Sequence, residues 1–349
     1  MAGMRIYGGL GLMAMGGALL APSAQAERGV VIDSAAGQAY VFDTGSNQVV
    51  STISAVTPGA SENDCAITED NQKAYVTDVG GIATLLLDSA TTGDTIRLPY
   101  TPIELTLTPD SRYLLSSGAG VNDPLTVFAT ANGMMTSRLV VPPGGPYYAY
   151  GGVKWTDVCD DGTTVIGGFS DGYADHSSLY RFSLSPTGQI RSTAAAGARV
   201  GYGGNGYCAA GGGTAVVMAS YSGFGATRVD TMTVVPYQQR FSAGGFVESG
   251  ALAADGKTVF LRTTSDIEAW GFNPVTGVLA AEASWVRPTT TTGDPYTDYE
   301  GPEVLAISKE TGKLYFGDGG ALKVMNPDGS LDAAIPTGAG RLTGVCLAK

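Results

Sequence analysis

Short runs of β-branched, aromatic and small apolar residues alternate along this chain with clusters of Asp, Asn, Gly and Pro. One strand pattern recurs seven times; its clearest copies are Ala39–Ile53 and Lys73–Asp78. Each unit reads as strand, tight turn, strand, loop, strand, turn, strand. The first turn is the best marker: Glu69-Asp70-Asn71, Pro109-Asp110-Ser111, Asp160-Asp161-Gly162, Gly211-Gly212-Gly213, Ala254-Asp255-Gly256 and Glu310-Thr311-Gly312. Asp, Asn and Gly there supply the positive φ or the side-chain-to-backbone bonds that tight hairpins require. A β-rich second strand follows each marker: 74–77, 113–116, 165–169, 215–219, 258–262 and 314–317. Third strands end in further turn signals, as in 88–93, 273–277 and 326–329. A period of roughly 40–55 residues with several short strands per unit predicts an all-β, seven-bladed β-propeller with four-stranded blades.

The six markers and the seventh unit are reconciled at the termini. After residue 27 the chain begins directly in a second strand, Arg28–Asp33, and it ends in a first strand, Gly344–Lys349. Pairing the two completes a shared blade and seals the ring without an unpaired interior edge. The Ala74–Asp78 segment and the Tyr40–Ile53 run resemble repeats of the YVTN family of seven-bladed propellers. That family includes surface-layer and periplasmic propellers and is more distantly similar to bacterial lactonases and amine dehydrogenase large subunits. The first two blades match well, whereas blades four and five keep only spacing and turn chemistry. The family motif is structural, so the resemblance implies fold and export and transfers no catalytic residue.

Composition adds a compartment. Arg5, an apolar stretch from Ile6 to Leu20 and the small-residue site Ala24-Gln25-Ala26 form a secretory signal peptide over residues 1–26, with Glu27 as the mature N-terminus. The propeller is expected over 27–349, and its destination is periplasmic or secreted. A net charge of −12 without a basic cluster argues against nucleic acid and anionic membrane as partners. No second apolar run is long enough for membrane insertion.

The four cysteines all fall in first strands, those of blades two, four, five and the shared blade. Neighbouring blades favour Cys65–Cys346 and Cys159–Cys208 among three possible connectivities, with buried free thiols as the alternative.

Candidate chemistry concentrates on one face, where chain leaves second strands and enters first strands. Long connections there carry Tyr147, Tyr148, Tyr150, Tyr173, Tyr221, Tyr296 and Tyr299, a composition suited to adaptable recognition. Just inside that face, Asp64, Glu104, Glu248 and Glu303 converge on the channel mouth, with Lys154 and Asn205 near them. Such carboxylates could hold Ca²⁺ or form a hydrated rim. His176 is the single histidine, and no nucleophile elbow, paired-histidine motif or phosphate loop is present.

The resulting reading is an exported, non-enzymatic binding or scaffold propeller, a monomer or a subunit of a complex, that recognises a protein or glycan through its loop-rich face. Two alternatives stand beside it. One is a lactonase-like or metal-dependent hydrolase using the acidic channel mouth; the other is the propeller subunit of a periplasmic redox complex.

Overall fold

The computed structural model describes residues 27–348 except 55, 58–62, 119, 121–122, 141–152, 171–176, 199–202, 210–212, 220–222, 235–246, 291–304, 319 and 338–341, and for some strand residues it describes the backbone only. The described residues form seven antiparallel sheets and no helix. The first blade is shared between the chain ends: Leu342–Leu347 is its inner strand, followed outward by Arg28–Asp33, Gln38–Asp43 and Gln48–Ser54. Val30 faces Cys346 and Val31 faces Val345 in that pairing, so the ring closes where the sequence places it. The other inner strands are Cys65–Ile67, Pro102–Leu107, Trp155–Val158, Gly203–Cys208, Val247–Leu252 and Leu305–Ile307.

Turn chemistry sets the hairpins. Between inner and second strands, Asn71, Ser111, Gly162, Gly256 and Gly312 occupy one equivalent position, with φ between 54° and 70°. The Asp one or two residues away often closes the turn: the Asp110 carboxylate accepts from Thr108 Oγ1 and the Arg112 N–H. Asp161 accepts from the N–H groups of Thr163 and Thr164.

Strand alternation then builds the core. Successive side chains point to opposite faces of a sheet, and here each face meets a neighbouring blade. Val30 and Ile32 therefore pack with Val76 and Ile67 of the second blade, while Val31 packs with Tyr315 and Val324 of the seventh. One apolar cluster fills each of the seven interblade spaces. Strands buried on both faces explain why the apolar runs are continuous rather than alternating.

One blade departs from the four-strand expectation. In the second, the outer position is divided between Thr91–Thr92 and Ile96–Arg97, both paired with Gly81–Leu86. Gly81 has no Cβ, and one there would meet the Ile96 carbonyl.

Candidate functional site: the inner ring and its loop-bearing face

The inner strand of each blade has one edge paired with its second strand and one edge facing the channel. Backbone N–H groups on the open edge need acceptors. In three successive blades a carboxylate from the preceding blade supplies one. Asp64 Oδ2 accepts from the Leu105 N–H at 2.6 Å, and its Oδ1 accepts from the Cys65 N–H at 2.7 Å. Glu104 Oε1 accepts from the Thr156 N–H at 3.0 Å. Asp157 Oδ2 accepts from the Cys208 N–H at 2.8 Å. Thr106 adds a hydroxyl bond to the Thr156 carbonyl at 2.7 Å.

The disulfides follow from the same alternation. Cys65 and Asp64 are adjacent residues and so face opposite blades. Cys65 reaches back to Cys346 with Cα atoms 5.7 Å apart, while Asp64 reaches forward to the third blade. Cys159 and Cys208 bridge blades four and five at a Cα separation of 5.2 Å. Both expected pairings are present and no cysteine is free. From the shared blade round to the fifth, every pair of neighbouring inner strands is joined by a disulfide, a carboxylate or both. Further round, buried Arg262 donates to the Gly317 carbonyl, joining blades six and seven.

Inside this ring lies a channel cavity of about 320 Å³. Its walls are largely small and apolar, with Ala66, Ala251, Ala306 and Ala348 among them. Thr106, Thr156, Asp157, Asp160, Tyr207 and Lys309 are its polar members.

The sequence-derived candidates divide as follows. Asp64 and Glu104 are buried in the inner ring at interblade bonds rather than lining an open mouth. Among the described residues no group of three or more His, Cys, Asp or Glu is arranged to hold a metal ion. The Lys154 carbonyl accepts from Ser117 Oγ, another link between blades three and four. Glu248 and Asn205 sit in inner strands, their side chains outside what is described. Glu303, His176 and the tyrosines at 147, 148, 150, 173, 221, 296 and 299 lie outside the described residues. Sequence reading missed Asp157 and Arg262. Asp157 lies two residues further along its strand than Glu104 does, and equal parity on a strand was the available signal.

The described strand ends fix where the long connections start and finish. Segments 140–154, 235–246 and 289–304 run from the outer strand of one blade to the inner strand of the next. On the opposite face, inner and second strands are joined by the short segments 68–72, 108–112, 159–163, 209–213 and 253–257.

Solved structures carry the same architecture. A functionally unknown protein from Desulfotomaculum acetoxidans matches with a TM-score of 0.75 at 16% identity, over 93% of this chain and 99% of that one. A putative 6-phosphogluconolactonase from Bacteroides fragilis matches with a TM-score of 0.68 at 12% identity, over 94% and 100%. Another, from Bacteroides uniformis, has a TM-score of 0.67 at 17% identity, over 93% and 100%. At these identities the likeness establishes the fold. No family model and no curated protein matches the chain.

Proposed function

We propose that this chain is an exported, non-enzymatic propeller that binds a protein or glycan through the face bearing its long connections. The observation that carries this reading is the engagement of the ring carboxylates. Asp64, Glu104 and Asp157 each take a backbone N–H from the adjoining blade. A hydrolytic centre in the channel would need those oxygens for substrate, water or metal. The tyrosine-rich segments 140–154 and 289–304 instead offer large, rigid contact area at low entropic cost. Two disulfides suit an oxidising compartment, which supports export along with the leader over residues 1–26.

The test is a cross-linking capture from the native envelope fraction, paired with a glycan array, using the exported protein as bait. A specific partner should be retained by Glu104→Gln at reduced stability and lost by Tyr148→Ala combined with Tyr296→Ala. Turnover of a sugar lactone that disappears in Glu104→Gln would overturn the binding reading in favour of a hydrolase.

A further inference from the structure

The seam of the ring holds a residue whose backbone and side-chain polar groups are engaged by blades on both sides of it. Glu27 is 7% exposed. Its carbonyl accepts from the Thr44 N–H at 3.0 Å and from Thr44 Oγ1 at 2.9 Å, in the first blade. Its carboxylate accepts from Ser308 Oγ of the seventh blade. Its backbone nitrogen lies 3.4 Å from Glu310 Oε2, also in the seventh blade. As an amide, that nitrogen is a neutral donor at the long end of hydrogen-bond range. As a chain terminus it would carry a full positive charge and three protons, opposite a carboxylate already in place.

We propose that leader removal completes the closure: cleavage between Ala26 and Glu27 creates an α-ammonium that pairs with the Glu310 carboxylate and ties the new N-terminus across the seam. This rests on the export reading. A leader peptidase adds water across the Ala26–Glu27 bond. The C–N bond breaks, the hydroxyl goes to the Ala26 carbonyl carbon, and the Glu27 nitrogen takes up protons. An α-amino group ordinarily titrates near 7.7–8.0, so it is charged at neutral pH. The surrounding ionisable groups are the Glu27 carboxyl itself, Glu310, Lys309 and Tyr315. Burial pushes the Glu27 carboxyl above the usual carboxylate range, and the charge of Glu310 adds to that, while Ser308 and Lys309 hold it down. An ammonium at this point relieves the repulsion between the two carboxylates. The uncut precursor lacks that charge, so its seam is the weaker one.

The test compares oxidised, full-length propeller beginning at Glu27 with the same chain carrying three uncharged residues before Glu27, each with and without Glu310→Gln. In the chain beginning at Glu27, Glu310→Gln should lower the melting temperature by about 1–2 °C, the range for an exposed ion pair in a domain of this size. In the extended chain the drop should be less than half as large. The α-amine should titrate above its ordinary value and return toward it in Glu310→Gln. Equal drops in both chains, or an unshifted α-amine, would overturn the pairing while leaving export intact. An exported chain whose intact mass begins at a residue other than Glu27 would overturn the processing step itself.

Discussion

Replacing Asp64 with asparagine separates a ring staple from a cation ligand. Asp64 is 3% exposed and takes two backbone N–H groups, one on each oxygen, at 2.7 and 2.6 Å. Hydrogen bonds to a charged group contribute about 1.5–3 kcal/mol each, and an orphaned buried N–H costs about 1–3 kcal/mol. Asparagine keeps one acceptor and turns an NH₂ donor toward the other N–H. The expected loss is therefore roughly 2.5–6 kcal/mol, one charged bond plus one orphaned donor. Guanidinium unfolding in chelator reads it as a lower midpoint at unchanged slope. Glu69→Gln, an exposed carboxylate in the following turn, is the control and should stay within about 0.5 kcal/mol. Wild-type stability should be indifferent to Ca²⁺. An unchanged midpoint in Asp64→Asn, or a wild type that loses stability in chelator and regains it with Ca²⁺, would refute the staple.

Other perturbations follow from the same frame. Removing Cys65–Cys346 as a double alanine variant should destabilise more than removing Cys159–Cys208. Their sequence separations are 281 and 49. The chain-entropy limits are roughly 6 and 4 kcal/mol, and denaturant midpoints in the opposite order would count against closure by the termini. Gly29→Ala would drive a methyl into the ring of Phe42, which is fully buried and stacks on Tyr315 at 5.2 Å. It should cost about 1–3 kcal/mol in urea unfolding, and a neutral result would mean the first–seventh blade contact is looser than described. Burial works to raise the Asp161 carboxyl, but the hydroxyl and N–H of Thr164 and the N–H of Thr163 outweigh it and hold it below 3.8. A depressed carboxyl stabilises the fold above its unfolded value and loses that contribution as pH falls through the folded one. The melting-temperature advantage of wild type over Asp161→Asn should thus be present at pH 6 and shrink in acid below 3.8; a constant advantage would contradict the assignment.

Local signals made the frame readable. Asn71, Ser111, Gly162, Gly256 and Gly312 mark turns because left-handed backbone favours few residue types. The shared blade was legible because Arg28–Asp33 reads as a second strand and Leu342–Leu347 as a first strand, each the other's missing neighbour. Cysteine pairing came from blade adjacency. The role of Asp64 and Glu104 was harder to see. Their acidity suggests a cation, but their acceptor role depends on where the next blade presents Leu105 and Thr156, which is a tertiary fact. Asp157 was hidden by its offset along the strand, and Arg262 by its place in a second strand, where a buried guanidinium has no local signature.

Non-reducing peptide mapping of the purified protein tests the central claim most directly, because the linked peptides report which inner strands are neighbours. The account predicts two cross-linked species, one joining the peptides of Cys65 and Cys346 and the other those of Cys159 and Cys208. A Cys65–Cys159 or Cys208–Cys346 linkage would contradict a ring sealed between the first and last strands, and free thiols throughout would contradict the two disulfides.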